Sequence, residues 1–184
     1  MAMTILETEA IADGALPIAQ LAAHLRLPEG YGVEADPTRR LALSLLAAIA
    51  EIEARLGKIL IAREVRVAGV AEGGRIALPL APVLEVLRAE RDGPEGPIPV
   101  AVGEVASEPH WSVVALADPV PEGGVVRLRI RAGYGGWDAV PVGVAQAVIL
   151  LAAASDGDVP AGVNAHVASL IAPMRERRLG RGRA

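Results

Sequence analysis

The sequence predicts an α+β fold, namely a small four-helix bundle interrupted by a proline-rich β insertion. Apolar residues repeat with the helical period in four segments near the two ends of the 184-residue chain. Between them the period changes to the alternation of strands, and eight of the 14 prolines lie between Pro79 and Pro121. We therefore expect N-terminal bundle helices at 1–60, the β-rich insertion at 61–132, C-terminal bundle helices at 133–178 and a flexible basic tail at 179–184.

The two N-terminal helices follow from apolar stripes and end signals. The first is expected from about Pro17 to Leu25, where apolar residues recur every three or four positions. The second is expected to have Asp36 as its cap and Pro37 in its first turn, because the fixed φ of proline suits that turn. It should end at Gly57, since glycine readily adopts the left-handed conformation that closes a helix. Its predicted buried stripe is Leu41, Leu45, Ala48, Ile49, Ile52 and Leu56.

The middle of the chain has the pattern of short strands separated by proline and glycine clusters. The clearest strand spans Val125 to Arg131, where apolar and basic residues alternate. Its apolar side is expected to face the core, which leaves an opposite side made of Arg127, Arg129 and Arg131. Such a side is either solvated or set against an acidic surface, and the solvated arrangement is the commoner one.

Two further helices are expected after residue 133. The third helix, Val140 to Ala154, is apolar nearly all round and therefore has to be covered on all sides. The fourth is expected from about Pro160 to Arg178, with a kink at Pro173. In a domain of this size we expect a neighbouring subunit to cover part of the third helix. The predicted subunit-interface residues are Val144, Val148, Ile149, Leu150 and Leu151.

Charge is unevenly distributed along the chain, whose net charge is −4. The last ten residues hold one glutamate and five arginines, which are Arg175, Arg177, Arg178, Arg181 and Arg183. The remaining chain carries 13 basic and 21 acidic side chains. A basic end on an acidic body is either a solvated terminus or a segment that docks on an acidic partner or on phosphates.

The motifs that carry enzyme chemistry are missing from the sequence. There is no cysteine, no serine in a G-x-S-x-G motif, no H-E-x-x-H pair and no phosphate-binding loop. We therefore expect neither an enzyme nor a cofactor, although a hydrolase whose carboxylates converge in space stays an alternative. The acidic body should repel phosphate, so only the tail is expected to contact DNA.

The start of the chain and its longest uncharged run bear on localisation. Residues 1–10 have no basic residue ahead of an apolar stretch, as a secretory signal would require. The longest uncharged run, 139–155, is alanine-rich and interrupted by Pro141 and Gly143, which falls short of a membrane span. We expect a soluble protein of the cytoplasm with no membrane partner.

Five segments, in order, resemble motifs of tailed-phage head–tail connector (adaptor) proteins. They are P-I-A-Q-L-A-A-H-L-R-L at 17–27, I-E-A-R-L-G-K-I-L at 52–60, L-P-L-A-P-V at 78–83, I-R-A-G-Y-G followed by V-P at 130–141, and L-I-A-P-M-R at 170–175. The sequence departs from the family at Ala23, where the family has lysine, and at Met174, where it has tyrosine. It also has Leu56-Gly57-Lys58 in place of Thr-Gly-Arg. The strong preference for arginine over lysine suits a chromosomally encoded phage-like particle such as a gene transfer agent.

The resemblance implies a structural protein of the particle neck that is assembled in the bacterial cytoplasm. Family members form a ring, expected to be dodecameric, which joins the portal to a downstream tail or stopper protein and leaves a channel for DNA. The resemblance implies that the five tail arginines bind the portal and that the third helix meets a neighbouring copy. The alternative from a different class is a nucleic-acid-binding accessory protein that acts through its arginine-rich tail.

Overall fold

The computed structural model describes residues 4–28, 35–78, 80–107, 111–121, 123–155 and 162–175. The chain divides into two compact units. The first, which we call the β unit, consists of Met1–Pro17 and Gly57–Val140. The second, the helical unit, consists of Ile18–Leu56 and Pro141–Ala184.

The β unit contains two antiparallel sheets in its described residues. The larger has five strands in the order β1-β2-β8-β4-β5, and the smaller has three in the order β3-β7-β6. The strands are β1 Thr4–Thr8, β2 Arg63–Val70, β3 Arg75–Leu78, β4 Val83–Gly93, β5 Gly96–Pro99, β6 Val102–Ser107, β7 Ser112–Leu116 and β8 Val125–Ala132.

The core of the β unit is aliphatic and comes from both sheets. Strand β8 shows the strict alternation of buried and exposed residues that its sequence predicts. Its buried residues join those of β2 from the same sheet and those of β3 and β7 from the smaller sheet. The main contributors are Val65, Val67, Ile76, Leu78, Val114, Leu128 and Ile130. One face of the five-stranded sheet is therefore buried, and its opposite face is free to carry charge.

The A-G-Y-G segment holds three backbone stretches of the β unit together. Gly133 N–H donates to the Pro82 carbonyl at 2.9 Å, and Ala62 N–H donates to the Gly135 carbonyl at 2.8 Å. Gly133 has φ +127°, and a Cβ there would lie 2.6 Å from the Ala62 Cα. Glycine is required at this position because the backbone of residue 62 occupies the space of a side chain.

The helical unit contains α1 Ile18–His24, α2 Ala35–Leu56, α3 Val142–Ser155 and α4 Val163–Ile171. Helix α3 contacts each of the other three helices, which explains why its sequence is apolar nearly all round. The predicted stripe of α2 is buried along its length. Helix α4 ends at Ile171, before Pro173, which lies in a 3₁₀ turn over Ala172–Met174.

The predicted fold class, a small four-helix bundle interrupted by a β insertion, is wrong. The described residues form an α+β structure with four helices and two antiparallel sheets of five and three strands. The apolar periodicity predicted the helices, but it did not predict that the strands form two sheets. The strands have a core of their own, and β1, which the sequence pattern did not indicate, extends the larger sheet.

Candidate interaction surface

The outer face of the five-stranded sheet is covered with charged side chains. Strand alternation that buries Leu128 and its apolar neighbours turns the arginines of β8 outward. Strands β2 and β4 add one arginine each to the same side. We call this surface the arginine face, and its basic residues are Arg66, Arg88, Arg127, Arg129 and Arg131.

The strand register places three of these arginines side by side. Arg129 of β8 lies opposite Arg66 of β2 on one side and opposite Arg88 of β4 on the other. We call these three residues the arginine row. Like charges at directly opposed positions destabilise a sheet, so the row is unfavourable for folding unless anionic groups offset it.

Carboxylates on the same sheet supply part of that offset. Glu7 of β1 accepts from Arg66 at 2.8 Å, and Glu64 of β2 lies 3.3 Å from Arg129 Nε. Arg88 pairs with Glu90 of β4. At least one side chain of each pair is well exposed, so each pair contributes at most about 1 kcal/mol.

A fourth pair lies at one end of the face. Arg127 donates to both carboxylate oxygens of Asp92, and its Nη2 contact measures 3.0 Å. The two parallel hydrogen bonds give this pair a defined geometry that a lysine would not reproduce.

The arginine row lies in a surface depression of about 350 Å³. Its charged lining consists of four arginines and two glutamates, and three apolar residues complete it. The lining residues are Leu6, Glu7, Arg66, Val67, Arg88, Glu90, Arg127, Leu128 and Arg129. Counted with Glu64 and Asp92, which pair with Arg129 and Arg127, the four arginines are balanced by four carboxylates.

The predicted portal-binding residues lie at the end of the chain. Arg175 is exposed and directly follows the 3₁₀ turn of the helical unit. The other four, Arg177, Arg178, Arg181 and Arg183, lie outside the described residues. Portal binding by these arginines stays a prediction.

The predicted subunit-interface residues lie on α3 of the helical unit. Val144, Val148 and Ile149 are buried within the chain, whereas Leu150 and Leu151 are half-buried. Leu151 lines a groove of about 240 Å³ together with Ser44 and other residues of α2 and α4. Contact of these residues with a neighbouring subunit stays a prediction. Of the five, only Leu150 and Leu151 have side-chain surface that is still accessible in the chain.

Two titratable groups of the β unit have shifted pKa values, and desolvation is the cause of both shifts. Lys58, the chain's one lysine, is 2% exposed, and burial lowers its pKa from the usual 10.5. Burial raises the pKa of the Tyr134 hydroxyl from its usual 10.0. Neither group lies on the arginine face.

Among the described residues, no group of three His, Asp or Glu side chains is placed to hold a metal ion. No helix in the described part of the chain is long and apolar enough to cross a membrane.

Sequence reasoning found the arginines of β8 but missed the arginine row. The signal for β8 is local, because alternation can be recognised within one segment. The row depends on which strands are neighbours and on their register, and both are set by residues far apart in the sequence.

Comparison with solved structures identifies the class of protein. The chain matches a chain in the neck of an empty GTA particle computed with C6 symmetry, at 35% identity and a TM-score of 0.78 over all of both chains. It matches a chain in the virion of a native gene transfer agent (GTA) particle at 34% identity and 0.78, again over all of both chains. A third match, at 33% identity and 0.74, covers 98% of this chain and all of a chain in the neck of a native GTA particle computed with C12 symmetry.

No protein-family model and no curated protein sequence matches the chain, so the assignment rests on these structures. They define the class as a structural component of a phage-like particle rather than an enzyme. Within that class, the chain belongs to the head–tail connector family of gene transfer agent neck proteins.

Proposed function

We propose that the protein is the head–tail connector that forms a ring between the portal and the tail and leaves a channel for DNA. The observation that carries the proposal is the match, over 100% and 98% of the chain, to neck structures computed with C6 and C12 symmetry. In a ring with rotational symmetry, each copy contacts one neighbour through one surface and the other neighbour through a second, different surface. We propose a ring of twelve copies.

Helix α3 is the proposed contact between neighbouring copies. Leu150 and Leu151 are half-buried in the chain, so they keep apolar surface that a second copy can cover. Val144, Val148 and Ile149 are already buried within the chain. This division of roles supports a contact made by one side of α3 while its other sides are packed.

The arginine-rich end of the chain is the proposed portal contact. Arg175 is exposed, and the sequence continues with four more arginines and only one glutamate. Guanidinium groups bind carboxylates through two parallel hydrogen bonds, so an acidic portal surface is the partner that this segment fits. The opposite side of the ring would then meet the downstream tail or stopper protein.

A capture experiment tests the proposal. The tagged chain is used to capture partners from a lysate that contains the particle proteins, and the partners are identified by mass spectrometry. We expect the portal and a tail or stopper protein to be captured by the full chain. We expect a variant with the five tail arginines replaced by glutamine to lose the portal alone.

A second variant, with the same five arginines replaced by lysine, separates charge from geometry. It keeps the net charge but not the two-pronged guanidinium, so we expect weakened portal capture. Full portal capture by the glutamine variant would refute the tail contact. Capture of nucleic acid with no particle protein would instead support the accessory-protein alternative.

A further inference from the structure

We propose that strand β1 of one copy pairs with strand β6 of the next copy in the ring, so that main-chain hydrogen bonds join neighbouring β units. The inference rests on the proposed function, because the partner is a second copy of this chain. It adds a contact between β units to the contact proposed for α3 of the helical unit.

The strand order leaves four edge strands in the described residues, which are β1, β3, β5 and β6. The edge at β5 is closed by Pro97 and Pro99. Val100 N–H donates to the Ala89 carbonyl of β4 at 2.9 Å, and donors alternate in direction along an antiparallel ladder. Positions 97 and 99 are therefore those whose N–H would point away from β4, and proline has no N–H. A further strand would find no main-chain donor at either position.

The edge at β3 is closed in a different way. Strand β3 has only four residues, and Arg75 at its start exchanges both of its main-chain hydrogen bonds with Glu72. Short edge strands are one of the means by which proteins avoid unwanted strand pairing. Strands β1 and β6 remain as the edges along which a partner strand can run.

Strand β1 has an open outer edge and exposed apolar side chains on both sides. Glu9 N–H donates to the Glu64 carbonyl of β2, so the N–H and carbonyl of Thr8 point away from β2. All five residues of β1 are exposed. Ile5, which is 48% exposed, lies on the core side of the sheet, and Leu6, 53% exposed, lines the depression of the arginine face. A strand added here would cover apolar surface on each side of the sheet.

Strand β6 is the second open edge and is similar to β1 in length, with six residues and no proline. Leu116 N–H of β7 donates to the Gly74 carbonyl on the β3 side, so the main chain of Val114 also faces β3. Val105 lies opposite Val114, and its N–H and carbonyl therefore point away from β7. Val102 and Val105 pack against the core of the β unit, which leaves the outer main chain of β6 for a partner.

A second copy is the partner that two different open edges fit. A closed ring needs two distinct surfaces on each copy that complement each other, and two strand edges do so through their main-chain donors and acceptors. Pairing of β1 with β1 would instead give a twofold dimer, which does not continue into a ring. The structural relatives come from necks computed with C6 and C12 symmetry, in which copies repeat around an axis.

The bulges on both strands determine where the pairing should be sought. They lie between Ile5 and Glu7 on β1 and between Val102 and Val105 on β6. Short, bulged edges resist indiscriminate pairing, so we expect β1 and β6 to pair in the assembled neck, where neighbouring copies are held together.

The test is crosslinking in assembled particles, which is specific because the chain has no cysteine of its own. Tagged variants replace the chain in cells that produce the particles, and the purified particles are treated with a short bis-maleimide and analysed on denaturing gels. The variant T4C/A106C has one cysteine on each open edge. The matched control T4C/E95C has its second cysteine on the hairpin beside the closed edge, and all three positions are exposed. The single variants T4C and A106C report self-pairing.

We expect T4C/A106C to give a ladder of dimers and higher oligomers, because each copy is then linked to two neighbours. The control and the single variants should stay monomeric. In the T4C/A106C background, Thr8→Pro should weaken the ladder severalfold and Thr8→Ala should keep it, because only proline removes the outward N–H. Urea unfolding checks that the Thr8→Pro chain is folded, as proline at an outward edge position allows.

Several results would overturn the inference. They are a monomer band from T4C/A106C in particles that contain the chain, dimers from T4C alone, an equally strong ladder with Thr8→Pro and Thr8→Ala, and a crosslink to a different particle protein in place of the ladder. Each of these leaves the connector proposal standing. Absence of the unsubstituted tagged chain from purified particles would refute the connector proposal, and the inference with it.

Discussion

Replacement of Gly133 by alanine should destabilise the β unit more than the same change at either neighbouring glycine. At Gly133 the new Cβ would lie 2.6 Å from the Ala62 Cα and 2.7 Å from its nitrogen. The two backbones cannot simply separate, because Ala62 N–H donates to Gly135 O and Gly133 N–H donates to Pro82 O. The substitution therefore combines a strained φ with a clash against fixed main chain.

The two neighbouring glycines provide a graded comparison. Gly135 has φ +124°, but its Cβ would meet only the Ala139 side chain, at 3.3 Å. Gly136 has φ −70°, and nothing lies within 4 Å of a Cβ there. Backbone strain costs about 1–3 kcal/mol and overpacking adds about 1–3 kcal/mol, so we expect about 2–6 kcal/mol for Gly133→Ala and about 1–3 kcal/mol for Gly135→Ala. Gly136→Ala should stabilise by about 0.4–1 kcal/mol, because it restricts the unfolded chain.

The assay is urea unfolding followed by tryptophan fluorescence. Both tryptophans, Trp111 and Trp137, belong to the β unit, so the signal reports on that unit. The free energies of unfolding should rank Gly136→Ala above the parent chain, followed by Gly135→Ala and then Gly133→Ala. If Gly133→Ala unfolded no more easily than Gly135→Ala, the argument from the backbone of residue 62 would be refuted.

The other predictions concern burial, pH and exposed ion pairs. Leu128→Ala should lower the free energy of unfolding by about 2–5 kcal/mol in the same assay, because Leu128 is 2% exposed in the core. The lowered pKa of Lys58 means that the unfolded chain binds more protons between that pKa and 10.5. Stability should therefore rise with pH across this window, and Lys58→Met should abolish the rise. The raised pKa of Tyr134 should make stability fall above pH 10, an effect that Tyr134→Phe should remove. Arg127→Gln should change stability by less than about 1 kcal/mol, because its pair with Asp92 is open to solvent; a larger loss would contradict that screening.

The local signals in the sequence predicted elements but not their assembly. Helix α2 runs from Ala35 to Leu56 and ends before Gly57, which has φ +65°, close to the expected bounds. Strand β8 matches its alternation residue by residue. Both elements have strong periodic patterns, which are set by neighbours within a few positions.

The elements that escaped prediction depend on partners distant in sequence. Strand β1 is exposed on both sides and has no alternation of burial to reveal it, so only its pairing with β2 defines it. The acidic members of the arginine face come from β1, β2 and β4 and meet the arginines only after the sheet has formed. Periodicity along one segment contains no information about such neighbours. For this reason the bundle prediction was wrong, and the sequence analysis named the arginines of β8 but not their carboxylate partners.

The bulges in the sheet show why the core and the arginine face depend on each other. On β4, Val86 pairs with Ile130 and Arg88 pairs with Arg129, so Leu87 is an extra residue. If the strands continued from the Arg88–Arg129 pair without the bulge, Leu87 would lie opposite Ile130 and Val86 opposite Arg131. A one-residue slip moves every side chain to the other side of a sheet, so this bulge keeps Val86 on the core.

The bulge on β1 acts in the same way on the charged side. Ile5 pairs with Val67 and Glu7 pairs with Arg66, which leaves Leu6 as the extra residue. If β1 paired without the bulge, Leu6 would lie opposite Arg66 and Glu7 would point to the other side of the sheet, away from Arg66. The bulge on β1 thus gives Arg66 its carboxylate partner. Because the register fixes both faces at once, the arginine row cannot be rearranged by shifting a strand without exchanging core residues for charges.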